Sequence, residues 1–231
     1  FKSIHQFEGV RAYLFPKTRK LIAAANKNEF TKTIFSLVDF VISIISSCRL
    51  LFYSEKTEGN FRFETLETPD EQCYSLVDKN AALPFFDRKR KEFEWIFQFP
   101  WISKTNQSFK NSYPFSSFSN SFNYQTIKIF RQNNFVGFFI FSVRNGHLKT
   151  LYFNTTENVN VEISEFLKRY CCLNKIEMLT IYNLPVSKEI FKRKFPFLHQ
   201  KKYGQKIYCS FDINNVKELH FQDSDGDAIF T

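Results

Sequence analysis

The most constraining feature of the sequence is a run of alternating segments between residues 134 and 182. Two apolar stretches, FVGFFIFSVR and HLKTLYF, are joined by Asn145 and Gly146, a pair that favours a two-residue hairpin turn. EISEFLKRYCC follows with apolar residues at helical spacing, and MLTIYN is a further short apolar segment. A strand–helix–strand crossover makes its two strands parallel. The run therefore predicts a hairpin whose second strand has a parallel neighbour.

The segments on either side extend this prediction to a complete domain. FRFETLE, YQTIKIFRQ and KIYCSFDI alternate apolar and polar residues, as half-buried strands do. TPDEQCYSLVDKN and RKRKEFEWIFQF have helix start signals or helical spacing, and Thr68 is the expected N-cap of the first of them. We therefore expect an α/β (α+β) domain at residues 61–231 with a mixed, mostly antiparallel sheet and flanking helices.

Residues 1–60 lack this alternation of strand and helix patterns. For them we expect a linker helix and the remnant of a preceding domain. A helix is predicted from Phe30 to Tyr53, and the chain opens on Phe1 rather than Met, which suggests an upstream domain in a longer protein. The apolar stretch from Ile34 to Phe52 is interrupted by Asp39, Arg49 and four serines. It falls short of about 20 uninterrupted apolar residues, so we expect a buried or interfacial helix and no membrane span.

Charge and cysteine usage narrow the function classes. The net charge of +9 favours acidic partners, but no nucleic-acid motif accompanies the basic clusters at 88–91 and 192–194. We expect no nucleic acid as a partner. A basic nucleic-acid-binding protein is therefore the weakest of the three functions considered below. The five cysteines are odd in number and form no C-x-x-C pair, which predicts reduced thiols, a cytoplasmic location and no metal site.

The predicted order of elements resembles that of the GNAT (GCN5-related N-acetyltransferase) superfamily. EWIFQFPW, NFVGFFIFSVRNGHLKTLYF and the ending FQDSDGDAIFT are similar to segments of GNAT-like proteins associated with bacterial cell-surface polysaccharide gene clusters. The resemblance covers residues 61–231. It implies a splayed parallel strand pair, HLKTLYFN and MLTIYN, that holds acetyl-CoA or another acyl-CoA. It also implies acyl transfer to a small-molecule amine, such as an amino sugar.

The resemblance also implies where the site residues lie. The strand before the central helix would bind the cofactor through its main chain, at Leu151, Tyr152, Phe153 and Asn154. Tyr182 and Asn183, at the end of the second splayed strand, would be catalytic. For these two residues a structural interpretation remains open: Tyr182 as a packed aromatic residue, and Asn183 as the residue that ends the strand.

The loop after the first splayed strand departs from the family pattern. Active relatives carry an R/Q-x-x-G-x-G/A loop whose amides bind the pyrophosphate at a helix N-terminus. Here NTTENVNV has neither Gly nor Arg, and Glu157, Glu162 and Glu165 follow around the same helix end. The basic side chains that would replace the loop are those of Lys192, Arg193 and Lys194. The alternative is a catalytically degenerate GNAT module with a structural or scaffolding role.

Overall fold

The computed structural model describes residues 2–15, 29–53, 61–79, 88–99, 102–103, 117–210 and 221–223. Within these residues the chain forms nine strands and five helices. The strands are β1 (Lys2–Tyr13), β2 (Phe61–Leu66), β3 (Ile102–Ser103), β4 (Ser117–Phe118), β5 (Phe122–Arg131), β6 (Asn134–Arg144), β7 (His147–Thr155), β8 (Met178–Ile181) and β9 (His199–Cys209). The helices are α1 (Glu29–Leu51), α2 (Glu71–Lys79), α3 (Arg90–Gln98), α4 (Asn160–Leu173) and α5 (Leu184–Lys192).

Seven strands form one sheet in the order β2-β5-β6-β7-β8-β1-β9. Every neighbouring pair in it is antiparallel except β7 and β8, which are parallel and joined by α4. The β6–β7 hairpin turns at Asn145 and Gly146, both at positive φ. The predicted class is confirmed: a mixed, mostly antiparallel sheet with one parallel pair and flanking helices.

The N-terminal strand belongs to this sheet. β1 lies between β8 and β9, and it pairs with β9 along most of its length. At Gly9 the two neighbouring main chains approach so closely that a Cβ atom would lie 2.0 Å from the carbonyl oxygen of Ile181. The predicted boundary at residue 60 therefore does not separate the N-terminal segment from the sheet, which includes residues 2–13.

Helices cover both faces of the sheet. On one face, α4 and α5 bury apolar side chains against Phe139, Leu148 and Ile181. On the other face, α2 and α3 pack on Phe138 and Ile140. The predicted apolar stripe of α4 does face the sheet: Ile163, Leu167 and Cys171 are buried, while Phe166 and Tyr170 are partly buried. The sheet is thus the central layer of the fold, with two helices packed on each face.

Helix α1 matches the predicted helix closely and lies outside these layers. It contacts the fold near its C-terminal end, where the Ser46 hydroxyl donates to the Leu14 carbonyl at 2.5 Å. Arg49 donates to the carbonyls of Pro196 and Phe197, both at 3.2 Å. By length and composition Thr33–Leu51 could cross a membrane, and only 6 % of that stretch is buried. The core of the fold therefore does not cover this helix.

Candidate ligand cleft

The parallel strands β7 and β8 separate after three residue pairs. Their register runs from His147 opposite Met178 to Lys149 opposite Thr180, whereas β7 continues to Thr155. A bulge in β7 lies just beyond the last pair, because Thr150 and Tyr152 face consecutive residues of β6 and leave Leu151 as the extra residue. A bulge bends its strand and increases the local twist. Beyond Lys149 the two strands are therefore splayed, as predicted, and a cleft opens between them.

A short segment near the C-terminus occupies this cleft. The main-chain N–H of Phe153 donates to the side-chain oxygen of Gln222 at 3.2 Å. The side-chain amide of Gln222 in turn donates to the Phe153 carbonyl, also at 3.2 Å. One carboxamide therefore satisfies the main-chain groups of β7 that a neighbouring strand would otherwise pair.

Asp223 lies deeper in the same cleft and is buried. One carboxylate oxygen accepts hydrogen bonds from the Thr150 hydroxyl at 2.5 Å and from the Tyr182 amide at 2.9 Å. Burial raises the pKa of Asp223 to about 6, although these donors, the Asn183 amide and the charge of Lys149 oppose the rise. Two main-chain amides and one hydroxyl thus converge on a single carboxylate, an arrangement that stabilises negative charge.

Polar side chains gather where the strands separate. The Thr180 hydroxyl lies 2.9 Å from Nε2 of His147 and accepts a hydrogen bond from Nε of Arg11 at 3.2 Å. Burial lowers the pKa of His147 to about 4, and the nearby cationic charges of Arg11 and Lys149 lower it further. Burial also lowers the pKa of Lys149 to about 8, while the charge of Asp223 opposes this change. Shifted pKa values of this kind are common at functional sites.

Tyr182 and Asn183 contribute main chain to the cleft rather than reactive side chains. The Tyr182 hydroxyl donates to the side-chain oxygen of Gln205 at 2.8 Å, and its ring packs against Phe7 and Tyr203. Burial raises the pKa of Tyr182, so its hydroxyl stays protonated at neutral pH. Asn183 is the N-cap of α5, and its side chain accepts from the Val186 amide at 3.2 Å. In this structure Tyr182 is therefore a packed aromatic residue, and Asn183 is the residue that ends the strand and begins the helix.

The four predicted cofactor residues of β7 differ in position. Phe153 presents its main chain to the cleft, and Leu151 is the extra residue of the bulge, packed with the α2 and α3 side of the core. Tyr152 is buried in the same cluster, where its ring contacts Phe93 at a centroid distance of 5.0 Å. Asn154 is buried, and its amide donates to the Tyr152 hydroxyl at 3.4 Å. The structure thus brings Phe153, but not the side chains of Leu151 and Tyr152, to the cleft.

The acidic residues around the start of α4 are partly neutralised. Glu157 accepts a hydrogen bond from Arg131 at 2.8 Å. Glu165 is buried in the second turn, 2.9 Å from the ammonium group of Lys168. Our expectation that all three acids surround the positive helix end is therefore wrong for Glu165, whose charge faces Lys168. Glu162 remains in the first turn of the helix.

The basic cluster at 192–194 lies at the opposite end of its helix from the cleft. α5 starts where β8 ends and leads to β9. Its C-terminal residues therefore lie towards the end of the sheet at which β8 begins. Arg193 is 3.9 Å from Glu165. Lys192 lines a separate cavity of about 530 Å³ between α5 and the β1–β9 pair, together with Glu8, Lys188, Phe191 and Lys202. The cluster is therefore not assembled with Phe153 and Tyr182.

Sequence reasoning missed Lys149, Thr150, Gln222 and Asp223 as site residues. Lys149 and Thr150 carried a usable signal, because they occupy the predicted strand at the point where its pairing with the parallel partner ends. Gln222 and Asp223 lie 69 and 73 residues from Phe153 and Thr150 in the chain, and no local pattern marks such contacts. The ending quoted for the family resemblance contains both residues, although the remainder of that ending, residues 224–231, lies outside the described part of the chain.

No protein-family model matches the chain, and no curated protein matches it either.

Proposed function

We propose that the protein is an acyl-CoA-dependent N-acyltransferase-like protein that holds its acyl donor in the cleft between β7 and β8. The acceptor is an amine such as an amino sugar, used in cell-surface polysaccharide biosynthesis. The observation that carries this proposal is the double hydrogen bond between the Gln222 carboxamide and the main chain of Phe153. The pantetheine arm of CoA contains amide groups of the same chemistry, which form the same pair of bonds once Gln222 leaves.

The donors around Asp223 support the reaction chemistry. Attack of the amine on the thioester forms a C–N bond and places negative charge on the carbonyl oxygen. The amides of Tyr182 and Asn183 and the hydroxyl of Thr150 now hold the carboxylate of Asp223, and they would hold that oxyanion instead. The C–S bond then breaks, and CoA leaves as a thiolate. This step requires the segment containing Gln222 and Asp223 to be displaced.

Lys149 is the residue that we propose as the base. Its lowered pKa, about 8, leaves a fraction of the side chain neutral at physiological pH. A base whose pKa lies near the working pH is the most effective for proton transfer. Lys149 accepts the proton that the attacking amine loses, and that proton finally resides on the thiol of CoA. His147 is neutral at pH 7 and orients the hydroxyl of Thr180 beside it.

A degenerate module with a scaffolding role is the second candidate, and a specific observation favours it. The cleft is filled by this chain's own residues, with hydrogen bonds to Phe153, Thr150 and Tyr182. The loop before α4 also lacks the glycine that brings amides close to a pyrophosphate. If the segment never leaves, the β7–β8 cleft closes the fold and binds no ligand.

Calorimetric titration with acetyl-CoA separates the two candidates. Replacing Gln222 by Ala removes both hydrogen bonds to Phe153 and should tighten acetyl-CoA binding by about thirtyfold, since each of the two net bonds contributes about 1 kcal/mol. The matched control is Gln200→Ala, because Gln200 also donates to a main-chain carbonyl, that of Ile190 at 2.9 Å, but lies on β9. The control should bind acetyl-CoA like the wild type.

If neither the wild type nor Gln222→Ala releases or absorbs binding heat with millimolar acetyl-CoA, the scaffolding role is favoured. In the same titration, Glu162→Gln should tighten binding slightly, since it removes a negative charge from the first turn of α4. Binding by Gln222→Ala without any acyl transfer to an amino sugar would leave the cleft proposal intact and overturn the proposed acceptor.

A further inference from the structure

Helix α1 has the reverse polarity of a helix that packs on a soluble core. The side chains directed to the fold include those of Ser46, Arg49 and Tyr53, all of which make polar contacts there. Leu50 packs against the core, but most of the large apolar side chains of α1 are exposed: Ile34, Leu37, Val38, Phe40, Val41, Ile44, Ile45 and Leu51. A helix on a soluble core normally directs its apolar stripe inward. The outward stripe therefore requires an apolar environment outside the fold.

The exposed stripe is broad and continuous. At 100° per residue, the positions from Ile34 to Leu51 cover nearly half of the helix circumference. Leu37 and Phe40, near the middle of the stripe, are 62 % and 64 % exposed. A contiguous apolar surface of this extent on a soluble protein marks a protein or membrane contact.

Basic residues lie beside the C-terminal end of this stripe. The Arg49 guanidinium lies 5.0 Å from the centre of the Phe195 ring and also bonds to Pro196. This contact places the exposed cluster of Lys192, Arg193 and Lys194 beside the C-terminal end of α1. The cluster that is distant from the ligand cleft thus adjoins the apolar stripe.

We propose that α1 and the basic cluster at 192–194 form a surface that binds an anionic lipid bilayer. The apolar stripe inserts at the boundary between headgroups and acyl chains, and the cluster contacts the acidic headgroups. Because Ser46, Arg49 and Tyr53 hold one side of the helix against the fold, α1 lies along the membrane surface and does not cross it. The surface does not depend on the activity of the β7–β8 cleft.

The charge of the chain distinguishes this partner from a second copy of itself. Each copy carries a net charge of +9, so pairing two α1 surfaces would bring like-charged clusters together. An anionic bilayer offers the complementary charge as well as an apolar interior. A lipid surface is therefore the occupant that fits both the apolar stripe and the basic residues.

Vesicle flotation of the full chain tests the proposal. We expect wild-type protein to float with vesicles that contain phosphatidylserine and to float less with phosphatidylcholine alone. The variant Leu37→Gln/Phe40→Gln/Ile44→Gln should bind both kinds of vesicle at least about tenfold more weakly, since each residue removes apolar area from the bilayer. The matched control carries Phe99→Gln, Leu173→Gln and Tyr208→Gln, which are similarly exposed on other elements. It should bind like the wild type.

A charge variant separates the two parts of the surface. Lys192→Gln/Arg193→Gln/Lys194→Gln should weaken binding to phosphatidylserine vesicles by about tenfold or more and leave binding to phosphatidylcholine unchanged. Circular dichroism verifies that each variant is folded. The proposal is overturned if wild-type protein stays with the aqueous fraction for both vesicles. It is also overturned if the α1 variant turns an oligomer into a monomer in sedimentation while vesicle binding is unchanged, since a second copy would then cover the stripe.

Discussion

The carboxamide of Gln222 forms both hydrogen bonds with the main chain of Phe153, at 3.2 Å each. It thereby takes the place of a neighbouring strand at the point where β7 has separated from β8. The neighbouring Asp223 fills the position where Tyr182 and Thr150 direct their donors. A segment of three described residues, Phe221–Asp223, thus occupies the cleft.

Acetyl-CoA binding should strengthen as pH rises, because Asp223 favours the docked segment when it is protonated. The pKa of Asp223 is raised from 3.8 to about 6 when it is buried in the cleft. Docking is therefore fully favoured below pH 3.8 and weakens as pH rises through 6. Displacement of the segment should become about tenfold easier between pH 5 and pH 7.5.

The comparison that isolates this effect is Asp223→Asn, which keeps the shape of the side chain and cannot ionise. Calorimetry at both pH values should show a larger gain for the wild type than for this variant. Equal pH dependence in the two proteins would mean that Asp223 does not control the cleft and that the phosphates of CoA account for the change.

The N-terminal strand should be essential to the stability of the domain. Gly9→Ala places a Cβ atom against the Ile181 carbonyl, at 2.0 Å before relaxation, so β1 and β8 must move apart. We expect a loss of about 1–3 kcal/mol in the free energy of unfolding, as for overpacked cores. Gly204→Ala is the milder comparison, since its Cβ would lie 3.1 Å from the Phe7 carbonyl. Equal melting curves for wild type and Gly9→Ala would contradict the placement of β1.

Helix α4 should depend on Phe166 for its attachment to the sheet. Its ring lies 4.7 Å from the ring of Phe63 and 5.6 Å from that of Phe139, measured between centroids. Because the side chain is only partly buried, Phe166→Ala should cost about 3 kcal/mol, the lower end of the range for such changes. Urea melts measure this loss, with the exposed Arg169→Ala in the same helix as control. A loss below about 1 kcal/mol would show that Phe166 contributes little to packing.

Local sequence patterns predicted the central part of the fold. The turn at Asn145 and Gly146, the helical stripe around Ile163 and the crossover to Met178 each depend on neighbouring residues, so the parallel pair could be identified. The helix cap of α2 was predicted at the wrong residue. Thr68 was the expected N-cap of α2, yet the carboxylate that accepts from the Cys73 amide, at 3.1 Å, belongs to Asp70. Both residue types suit a cap, so the choice depends on tertiary contacts such as that of Asp70 with Lys128.

Contacts between distant parts of the chain were not predictable in the same way. β1 pairs with strands more than 160 residues away, and its sequence offers no sign of its partners. The cleft residues Gln222 and Asp223 contact residues that lie 69 and 73 positions away in the chain. A single side chain that takes the place of a strand leaves no periodic pattern in the sequence. The occupied cleft could therefore be recognised only from the structure.

Amide hydrogen exchange at Phe153 tests most directly whether the segment and an acyl-CoA share the cleft. In the wild type, Gln222 protects this N–H, so exchange should be slow and should stay slow when acetyl-CoA is added. In Gln222→Ala the same amide should exchange faster, and saturating acetyl-CoA should restore its protection. If acetyl-CoA leaves the Phe153 amide of Gln222→Ala unprotected, the ligand does not bind between β7 and β8 and the proposed acyltransferase cleft is contradicted.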